Sequence, residues 1–165
     1  MTELCTQRCR IRTFLPSDIP AAMPLFTDPR VRAYLGGPVS EETARERLAQ
    51  RCEPGEGERY FAVTLSDGTF VGLIELAPYY DGVRTELSYM FLSDFWGRGL
   101  ASESIRRVLA YCRTQMKLEQ VVSETQAANA RSRAMLERLG YIMSEKLVRY
   151  GAEQCVYMFD FHENA

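Results

Sequence analysis

Polar and apolar residues alternate from Arg8 to Thr13, the two-residue period of a strand with one buried face. Tyr60 to Leu65 and Phe70 to Leu76 are two more strand-like runs. Asp67-Gly68 lies between them and tolerates the positive φ that a tight turn demands, so the pair reads as a hairpin. Arg84 to Leu92 and Gln120 to Thr125 read as strands, and Tyr141 to Tyr150 with Gln154 to Phe161 as a closing pair around Gly151. Elsewhere the period becomes helical. Leu100 to about Met116 carries Ile105, Val108, Leu109 and Cys112 at helical spacing. Asn129 to Leu139 ends at Gly140, which can take the left-handed C-terminal position. Ser40 is placed to cap a helix running to about Cys52, with Glu41 and Glu42 at its positive end. Pro16-Ser17-Asp18 offers a helix start, but Pro20, Pro24 and Pro29 should break Ile19 to Leu35 into short pieces. This order of elements predicts an α+β (mixed α/β) fold rather than a regular βαβ alternation.

The chain has 165 residues and shows no repeat, low-complexity tract or linker, so residues 1–165 read as one domain. Lys and Arg number 20 against 22 Asp and Glu, a formal net charge of -2, which argues against bulk electrostatic binding of nucleic acid. No apolar run is long enough to span a membrane, and the arginine-bearing start, Met1 to Arg12, does not resemble a secretory signal. The five cysteines (Cys5, Cys9, Cys52, Cys112, Cys155) lack framework spacing, and His162 is the sole histidine. Reduced thiols in a cytoplasmic protein with no metal site are the expectation.

The sharpest local signal is Phe95-Trp96-Gly97-Arg98-Gly99-Leu100-Ala101-Ser102, between a strand and an amphipathic helix. Gly97 and Gly99 let the backbone turn and approach a ligand closely. The following helix start presents free N–H groups and a positive dipole end, suited to a pyrophosphate, with Arg98 adding charge. Taken alone, the same run fits an ordinary structural turn.

Arg84 to Tyr141 as a whole resembles the GNAT superfamily of acyl-CoA-dependent N-acyltransferases. Glu86-Leu87-Ser88-Tyr89-Met90-Phe91-Leu92 is similar to the family's fourth strand. Trp96 to Ala101 is similar to its pyrophosphate loop, Asn129-Ala130-Arg131-Ser132 to the start of its fourth helix, and Leu136 to Tyr141 to that helix's end. The run W-G-R-G-L-A-S-E-S from Trp96 to Ser104 resembles the RimJ/RimL-like branch, which acts on ribosomal protein N-termini, polyamines and other small amines. The resemblance implies a three-layer fold with a central, mostly antiparallel, splayed mixed sheet flanked by helices. It implies acetyl transfer from acetyl-CoA, as co-substrate, to a primary amine by direct attack in a ternary complex. Cofactor contacts would fall on Met90, Phe91 and Leu92 in the splayed strand, on Gly97, Arg98, Gly99, Leu100, Ala101 and Ser102, and on Asn129. Trp96 stands where the family's loop often has Gln or Arg, and Leu136 where many members hold a tyrosine as general acid.

An alkyl ammonium with a pKa near ~10 must lose a proton before it attacks. Glu86 is the candidate base. The alternative for it is to face solvent or to pair with Arg84 or another arginine. Glu75 comes second, with Glu124 and Glu153 behind. The resemblance makes Ser132 the replacement donor toward the leaving thiolate; its alternative is plain polarity near a helix cap. Asn129 would hold the pantetheine arm, or cap the helix, or both. Tyr34, Tyr79, Tyr80 and Tyr150 could line an amine pocket, although ordinary packing explains each one singly.

Two other functions fit the residues. One is a non-catalytic acyl-CoA-binding or regulatory module, motivated by Leu136. The other is a different nucleotide-phosphate binder sharing only the glycine turn. The chain is expected to be a monomer or a homodimer, with Gln154 to Phe161 as a possible pairing edge.

Overall fold

The computed structural model describes residues 2–164; Met1 and Ala165, the two ends of the expected 1–165 domain, lie outside the described residues. Eight strands form one sheet: β1 (Glu3–Cys5), β2 (Cys9–Thr13), β3 (Arg59–Leu65), β4 (Phe70–Pro78), β5 (Thr85–Phe91), β6 (Gln120–Gln126), β7 (Ile142–Arg149) and β8 (Ala152–Asp160). Their spatial order is β1-β2-β3-β4-β5-β6-β8-β7. Every neighbouring pair is antiparallel except β5 and β6, which are parallel and share a single paired position, Glu86 opposite Val122. The sheet is therefore two antiparallel leaves that touch at one point and diverge beyond it.

Helices cover both faces, in three layers. The long helices α5 (Leu100–Thr114) and α6 (Ala130–Leu139) set Ile105, Val108, Leu109, Cys112 and Leu136 against Ile11, Val63, Leu87, Val121 and Tyr157. On the opposite face α1 (Ile19–Ala22), α2 (Pro24–Thr27) and α4 (Glu41–Gln50) pack Ala22, Leu25, Phe26, Ala44 and Leu48 onto Phe14, Ala62 and Leu73. Phe61 and Val63 thus serve one core and Ala62 the other, which is why β3 reads as a continuous apolar run rather than an alternation.

The three prolines divide the 19–35 segment into the single-turn helices α1, α2 and α3 (Pro29–Arg32), each with a proline in its first two positions, where a missing N–H breaks no helical bond. Ser40 caps α4 as expected, its hydroxyl accepting the Thr43 N–H at 3.2 Å. β1 has no counterpart in the sequence reading, because three residues are too few to display a period; its register with β2 sets Leu4 opposite Ile11.

One expectation is overturned. Gln154 to Phe161 cannot be a pairing edge, because β8 lies between β6 and β7. Its consecutive buried residues Gln154, Cys155, Val156 and Tyr157 reflect that interior place. The edge strand at this end of the sheet is β7, with Ile142 and Val148 exposed. Among the described residues no helix is long and apolar enough to cross a membrane.

Candidate active site

The parting of β5 from β6 frees backbone groups in the middle of a sheet. The Leu92 N–H donates to the Val71 carbonyl at 2.9 Å, so Leu92 and, by antiparallel alternation, Met90 and Ser88 spend their backbone bonds on β4. The N–H and C=O of Tyr89 and Phe91, with the C=O of Leu87, therefore face the gap, while the Leu87 N–H makes the one pairing with β6. Two carbonyls have found side-chain donors there: the Ser123 hydroxyl donates to Leu87 at 2.6 Å, and the Trp96 indole Nε1–H donates to Phe91 at 2.8 Å. Of the Met90-to-Leu92 segment expected to supply a backbone donor, only Phe91 points its N–H into the gap. The Leu92 N–H is already committed, which corrects that part of the expectation.

Trp96 thereby fastens the glycine turn to the end of β5. Gly97 and Gly99 take φ values of 76° and 75°, a conformation that side-chain-bearing residues rarely adopt, and a Cβ on Gly97 would meet nothing within 4 Å. The first turn of α5 follows directly. Its first intrahelical bond runs from the Glu103 N–H to the Gly99 carbonyl, so the N–H groups of Leu100, Ala101 and Ser102 have no helical partner. Arg8, in the turn between β1 and β2, braces the loop: its guanidinium donates to the Arg98 carbonyl at 2.8 Å and pairs with Glu103 at 2.7 Å. Arg98 lies across the Phe95 ring, 5.2 Å from its centroid.

From this turn a cavity of about 630 Å³ runs through the splay. Met90, Phe91, Gly97, Gly99, Ala101, Ser102, Asn129 and Ser132 all line it. Leu92, Arg98, Leu100 and Glu86 do not; Leu100 is instead part of the core. The Asn129 side chain caps α6 by accepting the Ser132 N–H at 3.1 Å, leaving its amide NH₂ uncommitted. Leu136 is fully buried in the core and does not line the cavity.

Glu86 sits at the one paired position between the leaves, and its neighbours Ser88 and Glu124 line the cavity. Its three rival carboxylates all have cations. Glu75 pairs with Arg51 at 2.5 Å, Glu124 with Arg149 at 3.0 Å, and Glu153 with Lys146 at 3.3 Å. Glu124 also accepts the Tyr79 hydroxyl at 2.8 Å. Arg84, the suspected partner of Glu86, is engaged by Asp81 at 2.5 Å and Glu145 at 3.9 Å. Burial and then the negative charge of Glu124 push the Glu86 carboxyl up to about 7, against the opposing pull of the Glu124 N–H and Arg149.

Of the four tyrosines expected around an amine, only Tyr34 lines the cavity. Tyr80 and Tyr150 meet each other through their hydroxyls, and Arg149 stacks on Tyr80 at 3.7 Å, forming a wall outside Glu124. The sequence reading did not single out Tyr89, whose hydroxyl lies 2.6 Å from that of Ser132. It also missed the anchoring bond from Trp96. The alternation within β5 was the available signal for Tyr89, since it sets Tyr89 on the opposite face from Glu86.

A turn that can cradle a diphosphate thus leads into a slot edged by free strand amides, with a carboxylate beside it that forms no ion pair among the described residues. Such an arrangement suits the transfer of an acyl group. Residues 8–142 match the family model described as the acetyltransferase (GNAT) domain, and the chain belongs to that family. It is 22% identical over 138 residues to YnaD, an uncharacterised N-acetyltransferase of Bacillus subtilis, covering 84% of this chain and 81% of that protein. The fold matches a GNAT acetyltransferase of Bacillus anthracis with a TM-score of 0.83 at 23% identity, over 96% of this chain and 98% of the other. It also matches the spermidine N-acetyltransferase of Vibrio cholerae, solved with CoA and spermine, with a TM-score of 0.79 at 20% identity, over 92% of this chain and 95% of the other.

Proposed function

We propose that residues 1–165 act as one cytoplasmic catalytic domain of the RimJ/RimL-like type, moving an acetyl group from acetyl-CoA to a primary amine. The acceptor is a protein N-terminus or a small-molecule amine, and attack occurs directly in a ternary complex. The observation that carries this is the pairing of the cavity with Glu86, a carboxylate raised to about 7 that forms no ion pair among the described residues. The free N–H groups of Leu100, Ala101 and Ser102 suit the diphosphate of CoA, and Gly97 leaves room for it. The free amides of β5 and the Asn129 side chain suit the amide-bearing pantetheine arm. Glu86 takes the ammonium proton, directly or through a water. The Phe91 N–H, aimed into the gap, is placed to stabilise the oxyanion of the tetrahedral intermediate. The Vibrio cholerae relative, whose structure holds CoA and spermine, supports an amine acceptor without defining which one.

The test is CoA release from acetyl-CoA with polyamines, aminoglycosides, amino acids and N-terminal peptides of ribosomal proteins. Glu86→Gln runs beside the wild type. Turnover with one acceptor class, reduced by roughly 10²-fold or more in the variant with acetyl-CoA affinity intact, supports both class and base. Tight acetyl-CoA binding with no turnover across the panel would favour a binding module instead.

A further inference from the structure

Tyr89 reaches in from β5 and Ser132 from the first turn of α6, and their hydroxyl oxygens lie 2.6 Å apart. Both residues line the cavity, and among the described residues neither hydroxyl has another partner. Burial pushes the Tyr89 phenol up to about 12, so it keeps its proton at any working pH and is always available as a donor. Among the described residues the Ser132 hydroxyl makes no bond to a backbone carbonyl. When Tyr89 donates to Ser132 Oγ, the serine's own proton has no acceptor in the protein and is free to point into the slot. It then lies at the N-terminal end of a ten-residue helix, where the dipole favours negative charge.

We propose that Tyr89 is a positioning residue: it donates to Ser132 and so turns the Ser132 O–H toward the sulfur of the leaving thiolate. This rests on the acetyl-CoA reading above. The neutral amine nitrogen adds to the acyl carbon; as the tetrahedral intermediate collapses, the C–S bond breaks with its electron pair staying on sulfur, and the nitrogen's surplus proton passes to water. A thiol with a pKa near ~8.5 is far more acidic than an aliphatic hydroxyl, so Ser132 stabilises the thiolate by hydrogen bonding and does not transfer its proton. The pair thus supplies, from β5 and the first turn of α6, what a side chain at the buried Leu136 cannot.

The measurement is the thiol pKa of bound CoA, read from thiolate absorbance. Enzyme loaded with desulfo-CoA is the reference, cancelling the protein's own tyrosines and cysteines. In the wild type the bound thiol should titrate below free CoA. Ser132→Ala should raise it by about one unit, a tenfold loss of thiolate stabilisation. Tyr89→Phe should give part of that shift, and the double variant no more than Ser132→Ala alone. In turnover, Tyr89→Phe should lower kcat several-fold and leave the acetyl-CoA KM unchanged. Arg30, Glu124, Arg131 and Arg138, the other charged groups lining the slot, are untouched by these substitutions. The proposal is overturned if Tyr89→Phe leaves the thiol pKa at the wild-type value, or if the two single shifts add. It is also overturned if Tyr89→Phe weakens CoA binding alone, which would make Tyr89 merely a wall of the slot. Failure of the wild type to bind CoA would instead overturn the functional reading itself.

Discussion

At the scale of single residues, the decisive contrast is between Glu86 and the three carboxylates that have cations beside them. A base raised to about 7 is half ionised near neutrality. The kcat profile should therefore rise with pH through a limb near 7, and Glu86→Gln should abolish that limb along with most of the activity. The same shift acts on stability. The folded state holds the Glu86 proton up to about 7, whereas an unfolded glutamate releases it near ~4.3. Glu86 therefore makes the protein less stable as pH rises through that window. Glu86→Gln should melt above the wild type at pH 8 and level with it below pH ~4, which thermal unfolding at both pH values checks. Removing the neighbouring charge with Glu124→Gln should move the kinetic limb to lower pH, because that charge is the second-largest cause of the raised value. Glu86 was legible as a candidate base from its place in the strand E-L-S-Y-M-F-L. Its freedom from Arg84 was not, since the sequence does not show which carboxylate that arginine takes; Asp81 holds it at 2.5 Å, with Glu145 of β7 at 3.9 Å.

At the scale of elements, the site depends on where β5 ends and how its last aromatic ring is held. Gly72 lies opposite Phe91 on β4, and a Cβ there would come within 2.6 Å of the Phe91 ring. Gly72→Ala should cost about 1–3 kcal/mol and push that ring into the slot, raising the KM for acetyl-CoA. Chemical denaturation and steady-state kinetics read the two effects separately. Nothing in the local sequence marks this glycine, which stands inside a strand with no turn signal around it. The hairpin at Asp67-Gly68, the cap at Ser40 and the end of α6 at Gly140 were legible, because each is decided by neighbouring residues. The place of β8 was legible on one side only: its hairpin with β7 is set by the local turn at Gly151, whereas its pairing with β6 is chosen by tertiary packing.

At the scale of the whole molecule, two leaves of sheet meet at one backbone pairing, reinforced by the bonds from the Ser123 hydroxyl to the Leu87 carbonyl and from the Tyr79 hydroxyl to Glu124. Ser123→Ala leaves that buried carbonyl without its donor and should cost about 1–3 kcal/mol, measurable as a lower denaturant midpoint. A ligand lying across the splay replaces missing sheet contacts, so CoA at 100 times its Kd should add about 2.7 kcal/mol of apparent stability and raise Tm. The strand order carries a consequence for biosynthesis. β8 is the last of the eight strands to be made, yet it supplies the partner for both β6 and β7. A nascent chain paused before Ala152 therefore presents β6 and β7 as open edges and cannot complete the second leaf. The first leaf, β1 to β5, can assemble while translation continues. The glycine turn will then be formed on the ribosome before the slot it opens into has its second wall.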